Sequence, residues 1–381
     1  MSIVLRQPLV AASLTLALAA AATAQPPAAV AGAPTRAALV ARLDSIATDF
    51  LKASPAPGMT IAVVSKGDTL LLKGYGERDR ERHLAAGVNT VYRIASITKQ
   101  FTVAAVMRLV ERGSVELDAP ITTYLPQYPQ WSSVTVRQLL GHTSGIPSYT
   151  SRPEWRARRA EDLTPAQLVA FVEKAPVDFP AGSAWNYTNT GYVLLGMLLE
   201  RVTKQPYAAL LDKEFFEPLG MRSAASCPSR PSDAAYAVGY QEEAGTWRRA
   251  DYLSMTHPFA AGSLCMSVPD YLTWQSALHG GRIVGARSLA LMAGPETLTA
   301  GEKKGTTTGY GMGLAKGAVG SHATIQHGGS INGFSTQQYW FPEDSLGIVA
   351  FINSVGAEQD WLVGNLASAV LGLPVRPKGG R

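Results

Sequence analysis

Apolar residues at Leu39, Val40, Leu43, Ile46, Ala47 and Phe50 recur at helical spacing, so Arg36 to Leu51 is predicted to be a helix that Pro55 and Pro57 end. Met59 to Val64 and Thr69 to Tyr75 flank the turn residues Lys66-Gly67-Asp68 and read as a hairpin. The apolar run Phe101 to Val110 is a helix candidate with Gly113 as its stop. From there to about Thr256 the pattern is mostly helices and loops. A short helix starts within Val134 to Leu140, Thr164-Pro165 caps one running to Val172, and Thr190 to Val202 and Tyr207 to Phe216 follow. The last third changes character. Helices at Val268 to Leu278 and Ser288 to Met292 precede strand candidates at Ala323–His327, Ser335–Phe341 and Leu346–Asn353, with Pro342 to Ser345 as a turn. Glu358 to Leu371 closes the pattern as a helix.

A hairpin near one end and strands near the other can join in one antiparallel sheet. The fold class expected is therefore α/β (α+β): a sheet flanked by terminal helices, with a mostly helical insertion. The expected division is a discontinuous α/β domain, 36–95 with 255–373, a helical domain at 96–254 and a loose tail at 374–381. A cleft between two such parts is the usual place for a site.

The first 24 residues carry one charge, Arg6, then an apolar stretch from Leu9 to Ala22 and a small-x-small sequence, Ala22-Thr23-Ala24. This reads as a secretory signal cleaved before Gln25, giving a periplasmic or secreted protein; an uncleaved membrane anchor is the rival. Residues 25–35 are rich in Pro and Ala and are expected to be a disordered leader. No other stretch reaches transmembrane length. At 46% hydrophobic and a formal charge of +5, the 381-residue chain suits a globular protein with a sizeable core and does not suggest a nucleic-acid partner. Arg152, Arg156, Arg158 and Arg159 alternate with Glu154, Glu161 and Asp162, as on a solvated helix face. Cys227 and Cys265 are the two cysteines. Export permits a bridge between them; two buried thiols are the alternative.

Three stretches carry candidate chemistry. In Ser96-Ile97-Thr98-Lys99 the serine and lysine are one helical turn apart on one face, at the head of the apolar run. A serine needs a neighbouring base or cation to act as a nucleophile, and free N–H groups at a helix start can bind an oxyanion. A capping serine and a surface lysine would look the same. In Tyr187-Thr188-Asn189, turn residues deliver a tyrosine just before a helix whose cap could be Asn189. A cation from Lys99 would stabilise the Tyr187 phenolate and make it a general base; a packed loop aromatic is the alternative. In His327-Gly328-Gly329-Ser330, paired glycines after a strand allow a ligand close to the backbone, or simply make a turn.

Together, and in this order, these stretches resemble the serine β-lactamase and penicillin-binding-protein-like family, in particular its class C-like branch of β-lactamases, D-alanyl-D-alanine carboxypeptidases, D-amino-acid peptidases and carboxylesterases. Gly141-His142-Thr143-Ser144-Gly145-Ile146 and Pro218-Leu219-Gly220-Met221 look like further segments of that family, and the likeness covers most of residues 36–370. It implies Ser96 as nucleophile, Lys99 tuning Ser96 and Tyr187, and Tyr187 moving the proton. It implies Asn189 orienting Lys99 or a substrate amide, and the backbone N–H groups of Ser96 and Ser330 as the oxyanion hole. His327 and Gly329 stand where many members have Lys-Thr-Gly. A histidine there, ordinarily near pKa 6.5, would lose its charge as pH rises and hold a substrate carboxylate less firmly. That favours esters or peptides over β-lactams.

The pair His142 and Ser144 reads as structural. No Gly-x-Ser-x-Gly and no His-Glu-x-x-His occurs, and the six histidines are scattered, so neither an α/β-hydrolase elbow nor a metal is expected. The sequence reading is thus an exported serine hydrolase with no cofactor, acting through an acyl-enzyme on a small-molecule or peptide substrate. The rival is a binding protein of the same fold: a penicillin-binding or cell-wall peptide receptor that is acylated without turnover, or an interaction module.

Overall fold

A computed structural model describes residues 35–53, 56–229, 235–306 and 308–377. The signal sequence expected at residues 1–24, nearly all of the leader and the last four residues of the tail lie outside them. Helix α1 (Arg36–Ala53) leads into strands β1 (Gly58–Ser65), β2 (Asp68–Asp79), β3 (Leu84–Ala85) and β4 (Tyr92–Arg93), then helix α2 (Thr98–Glu111). Helices α3 (Val136–Leu140), α4 (Pro153–Arg158), α5 (Pro165–Ala170), α6 (Asn189–Thr203), α7 (Tyr207–Leu211) and α8 (Glu217–Leu219) follow. Then come β5 (Ala225–Ser226), β6 (Tyr240–Glu243), β7 (Thr246–Arg249), α9 (Phe259–Gly262), β8 (Leu264–Met266), α10 (Val268–His279) and α11 (Ala286–Ala293). The chain closes with β9 (Ala315–Val319), β10 (His322–Ile331), β11 (Phe334–Phe341), β12 (Leu346–Ile352) and α12 (Gln359–Val370).

The main sheet is antiparallel, in the order β3-β2-β1-β12-β11-β10-β9, so the first hairpin joins the last strands through β1 and β12. Alternation decides which side chain faces which layer. Met59, Ile61 and Val63 of β1, with Ile348 and Ala350 of β12, pack under α1 and α12 against Phe50, Leu362 and Leu366. Ala62, Val349 and Phe351 point the other way, into the larger core around α2. With both faces covered, β12 is buried throughout and its sequence is an unbroken apolar run. Helix α2 is buried from Thr98 to Met107.

Several features differ from the sequence expectation, among them the short strands β3, β4, β5, β8 and β9. The stretch before Thr256 holds the hairpin β6–β7, whose strands are short and largely charged; its turn is Ala244-Gly245, both at positive φ, a geometry with no apolar signature. Strand β10 runs through Gly328-Gly329 to Ile331, and the turn falls at Asn332-Gly333, where Gly333 has φ +81°. The run from Tyr207 to Phe216 is an α-turn followed by a π-helix at Asp212–Phe216.

A small sheet, β4-β8-β5, brackets the entry to α2. Arg93 pairs with Cys265, which also pairs with Ala225. Cys265 is disulfide-bonded to Cys227, with Cα atoms 5.1 Å apart. The bridge therefore ties β8, the pairing partner of the strand leading to Ser96, to the loop after β5. No helix among the described residues is long and apolar enough to cross a membrane.

Candidate active site

The chain leaves β4 through a tight turn. Ala95 has φ +49°, a conformation that costs a residue with a side chain about 1–2 kcal/mol. One 3-10 turn, Ala95–Ile97, follows, and α2 begins at Thr98. Ala95 and Ile97 are buried while Ser96 between them stays partly exposed. Strand β10 crosses directly over this turn. A Cβ on Gly329 would collide with the carbonyl oxygen of Ile94 and the hydroxyl of Thr336, so close approach, not a turn, requires the glycine. Thr336 Oγ1 donates to the same Ile94 oxygen at 3.1 Å and locks sheet to turn.

Lys99, on the first turn of α2, is fully buried. Its Nζ donates to Asn189 Oδ1 at 2.9 Å and to the Ala261 carbonyl at 2.8 Å, and stands 3.2 Å from Ser96 Oγ. Two of these partners are fixed acceptors. The third neighbour, the serine hydroxyl, can accept from the lysine, or donate to its lone pair once the amine is neutral. Burial also pulls the Lys99 pKa well below the usual lysine range, and no charge beside it among the described residues offsets this.

Three helices converge to make that arrangement. Asn189 is the first residue of α6, after the cap position Thr188, so it is not the cap expected from sequence. Its side chain spans the site instead, accepting from Lys99 and donating through Nδ2 to Thr150 Oγ1 at 3.3 Å. Helix α9 presents Ala261. It packs on α6 at Gly196, where a Cβ would strike the Phe259 ring and Ala260.

Tyr187 lies against the same lysine, its ring centroid 4.7 Å from Nζ. Its hydroxyl is buried and makes no well-formed hydrogen bond among the described residues, the Ser96 hydroxyl being its polar neighbour. Burial pushes its pKa up, against the smaller opposite pull of the Ser96 hydroxyl. The expected lysine cation beside a phenolate is therefore corrected: desolvation drives both groups toward their uncharged forms. His142 stacks on the Tyr187 ring at 4.3 Å, its Nδ1 accepting from the Thr188 N–H at 3.2 Å.

His327 lies behind Tyr187, with ring centroids 6.4 Å apart, and is 7% exposed. Its Nδ1–H donates to the Gly328 carbonyl at 2.6 Å, so Nε2 accepts from the Tyr310 hydroxyl at 2.8 Å. Burial above all, with a smaller contribution from Lys99 whenever it is charged, pulls its pKa down to about 4. The expected change of charge near pH 6.5 is thus also corrected; His327 is neutral through the physiological range. Tyr310, absent from the sequence reading, fixes the ring.

A cleft of about 270 Å³ opens above the cluster, with Ser96, Asn189 and Ser330 on its wall. Its other residues include Tyr149, Trp155 and His257, none of them singled out from sequence. Trp155 Nε1 donates to His257 Nδ1 at 2.9 Å, and His257 Nε2 donates to the Glu161 carbonyl at 2.6 Å. These residues sit in or beside the arginine-rich stretch whose charges form surface ion pairs such as Arg158–Glu161 and Arg159–Asp251. Among the described residues no three His, Cys, Asp or Glu side chains converge as a metal site would require.

The structure thus brings Ser96, Lys99, Tyr187 and Asn189 together, with Gly329 and Ser330 across the cleft and His327 behind. A helix-covered antiparallel sheet with one strand, here β10, lying against a serine–lysine turn is the architecture of β-lactamase and transpeptidase-fold proteins. The chain belongs to the Beta-lactamase family, whose profile matches residues 43–372. It is 27% identical over 279 residues to the Bacillus subtilis (strain 168) protein PbpX, covering 72% of this chain and 67% of that one. It is 31% identical over 213 residues to Protein flp of Staphylococcus aureus (strain NCTC 8325 / PS 47), covering 54% of this chain and 42% of flp, less than half of that relative's length. Among solved structures, D-amino acid amidase from Ochrobactrum anthropi SV3, in complex with D-phenylalanine, superposes with a TM-score of 0.78 at 26% identity, covering 88% of this chain and 99% of that one.

Proposed function

We propose that the protein is a serine hydrolase that forms an acyl-enzyme at Ser96 and acts on esters or amides. The observation that carries this reading is the Lys99 amine, buried without a counter-charge, 3.2 Å from Ser96 Oγ. In this reading neutral Lys99 takes the Ser96 proton as Oγ attacks the carbonyl carbon. The oxyanion is held by the backbone N–H groups of Ser96 and Ser330. The Tyr187 hydroxyl gives its proton to the leaving oxygen or nitrogen and is reprotonated from the Lys99 ammonium. Water then enters by the reverse path and frees Ser96. Asn189 and the Ala261 carbonyl orient the lysine.

His327 offers no cation to a carboxylate on the leaving side, which supports esters and amides without a leaving-side carboxylate over β-lactams. The amidase likeness supports the amide branch of the same reading. Residues 1–24 are read as an export signal, and 96–254 as the helical part set into an α/β part formed by 36–95 and 255–373. The test is pre-steady-state hydrolysis of a short-chain nitrophenyl ester and a D-amino-acid amide. A burst of one equivalent followed by steady turnover is expected. A burst with no turnover would make the protein an acylated receptor instead.

A further inference from the structure

On the far side of Asn332 lies a second hollow of about 310 Å³, which shares the lining residues Leu253 and Asn332 with the first. Four charged side chains line it: Arg82, Arg93, Arg249 and Asp251. Three are answered. Arg82 pairs with Asp79, Arg249 with Glu81, and Asp251 with both Arg159 and Arg248. Arg93 is not. Its guanidinium lies 5.8 Å from the Phe334 ring centroid, donates one hydrogen bond to the Ser229 carbonyl at 3.3 Å, and has no carboxylate partner among the described residues. It is also rigidly mounted, three residues before Ser96 on the strand that pairs with disulfide-bonded Cys265.

A guanidinium has five N–H donors and stays charged at neutral pH even when partly buried. A half-buried arginine in an open hollow, with one hydrogen bond and no carboxylate among the described residues, can take a carboxylate in its fork. The direction of the hollow tells which part of a substrate reaches it. Tyr187 and His327 mark the side of Ser96 where the leaving group takes its proton. Along β10 the chain runs from His327 past Ser330 to Asn332, so the second hollow lies on the opposite, acyl side.

We propose that Arg93 forms an anion subsite for the acyl portion of the substrate, so that the preferred substrates are esters or amides of acids bearing a second, distal carboxylate. This rests on the acyl-enzyme reading of Ser96 and specifies its substrate class. Burial lowers the Arg93 pKa to about 10, which adds to the gain from meeting an anion.

The experiment compares 4-nitrophenyl half-esters of adipic, pimelic and suberic acids with neutral alkanoate esters of equal length, after subtraction of spontaneous hydrolysis. The wild type is expected to favour at least one half-ester by about tenfold or more in kcat/KM, a preference that shrinks with added salt. Arg93→Met should collapse the acid-to-neutral ratio, and Arg93→Lys should keep part of it. A merely structural arginine would lower both substrates together and leave the ratio alone. Titration calorimetry of adipate into Ser96→Ala protein reads the subsite without turnover. Binding that disappears on adding Arg93→Met supports the proposal even if the ester reading of Ser96 fails. No preference at any chain length in an active wild type overturns it, and so does adipate binding that survives loss of Arg93.

Discussion

Lys99 Nζ and Asn189 Oδ1 are 2.9 Å apart, and this amide, not a carboxylate, is what the buried amine leans on. An amide oxygen orients the lysine without supplying negative charge, so desolvation is left to hold the pKa down. In the proposed mechanism, Asn rather than Asp at this position therefore favours the uncharged form of the lysine.

Asn189→Asp should reverse that. A carboxylate at this distance stabilises the ammonium and raises its pKa. Activity needs the unprotonated amine, so kcat/KM should fall as pH drops through the Lys99 pKa, and the variant's acid limb should move to higher pH. At pH 7 the expected loss is about one hundredfold, recovering at alkaline pH. Ester hydrolysis measured across the pH range checks this; an unshifted acid limb would take the base role away from Lys99.

His327 should be silent across the neutral range. With its pKa near 4, its ring resonances should not titrate between about pH 5.5 and 8, and selectivity for acidic over neutral substrates should not follow a histidine in that window. The linkage has one sign. The folded pKa lies below the unfolded value, so the stability from burying a neutral ring is whole above about pH 6.5. About 3 kcal/mol of it is lost as pH falls toward 4. A midpoint near 6.5 by NMR would refute the Tyr310-bound, neutral ring.

Gly329→Ala should separate the sheet from the Ser96 turn. The added methyl meets the Ile94 carbonyl, which is backbone and cannot rotate away. A destabilisation of about 1–3 kcal/mol in urea unfolding is expected, with a larger relative loss of kcat as Ser330 moves off Ser96. Unchanged activity in a folded Gly329→Ala protein would show that β10 does not position the site.

The Cys227–Cys265 bridge spans a sequence separation of 38, and loop closure of that size is worth about 4 kcal/mol. Reducing it, or replacing both cysteines by serine, should lower the urea midpoint by a corresponding amount. An unchanged midpoint would mean that the unfolded chain is constrained by other means.

Much of the sheet was legible in the chain because β1, β11 and β12 announce themselves through apolar runs and turns, and α2 and α6 through buried apolar stretches. Ser96, Lys99, Tyr187 and Asn189 stood out because their order and spacing did. Their protonation states did not, since these depend on burial that no spacing reports. His327 looked like a titrating anchor until Tyr310, 17 residues earlier, was found on its Nε2. Tyr149, Trp155 and His257 were hidden for a different reason. They meet through contacts about a hundred residues apart, within a charged stretch whose arginines draw attention to solvent. Arg93 stands in the sequence beside Ser96, but only the fold shows that, among the described residues, no carboxylate meets it.

The central claim is that Ser96 is the nucleophile. Incubation with a fluorophosphonate, followed by intact mass and peptide mapping, tests it most directly. The wild type should gain one adduct on the peptide containing Ser96, faster as pH rises through the Lys99 limb, and Ser96→Ala should gain none. An adduct on any other residue, or labelling that survives Ser96→Ala unchanged, contradicts the account.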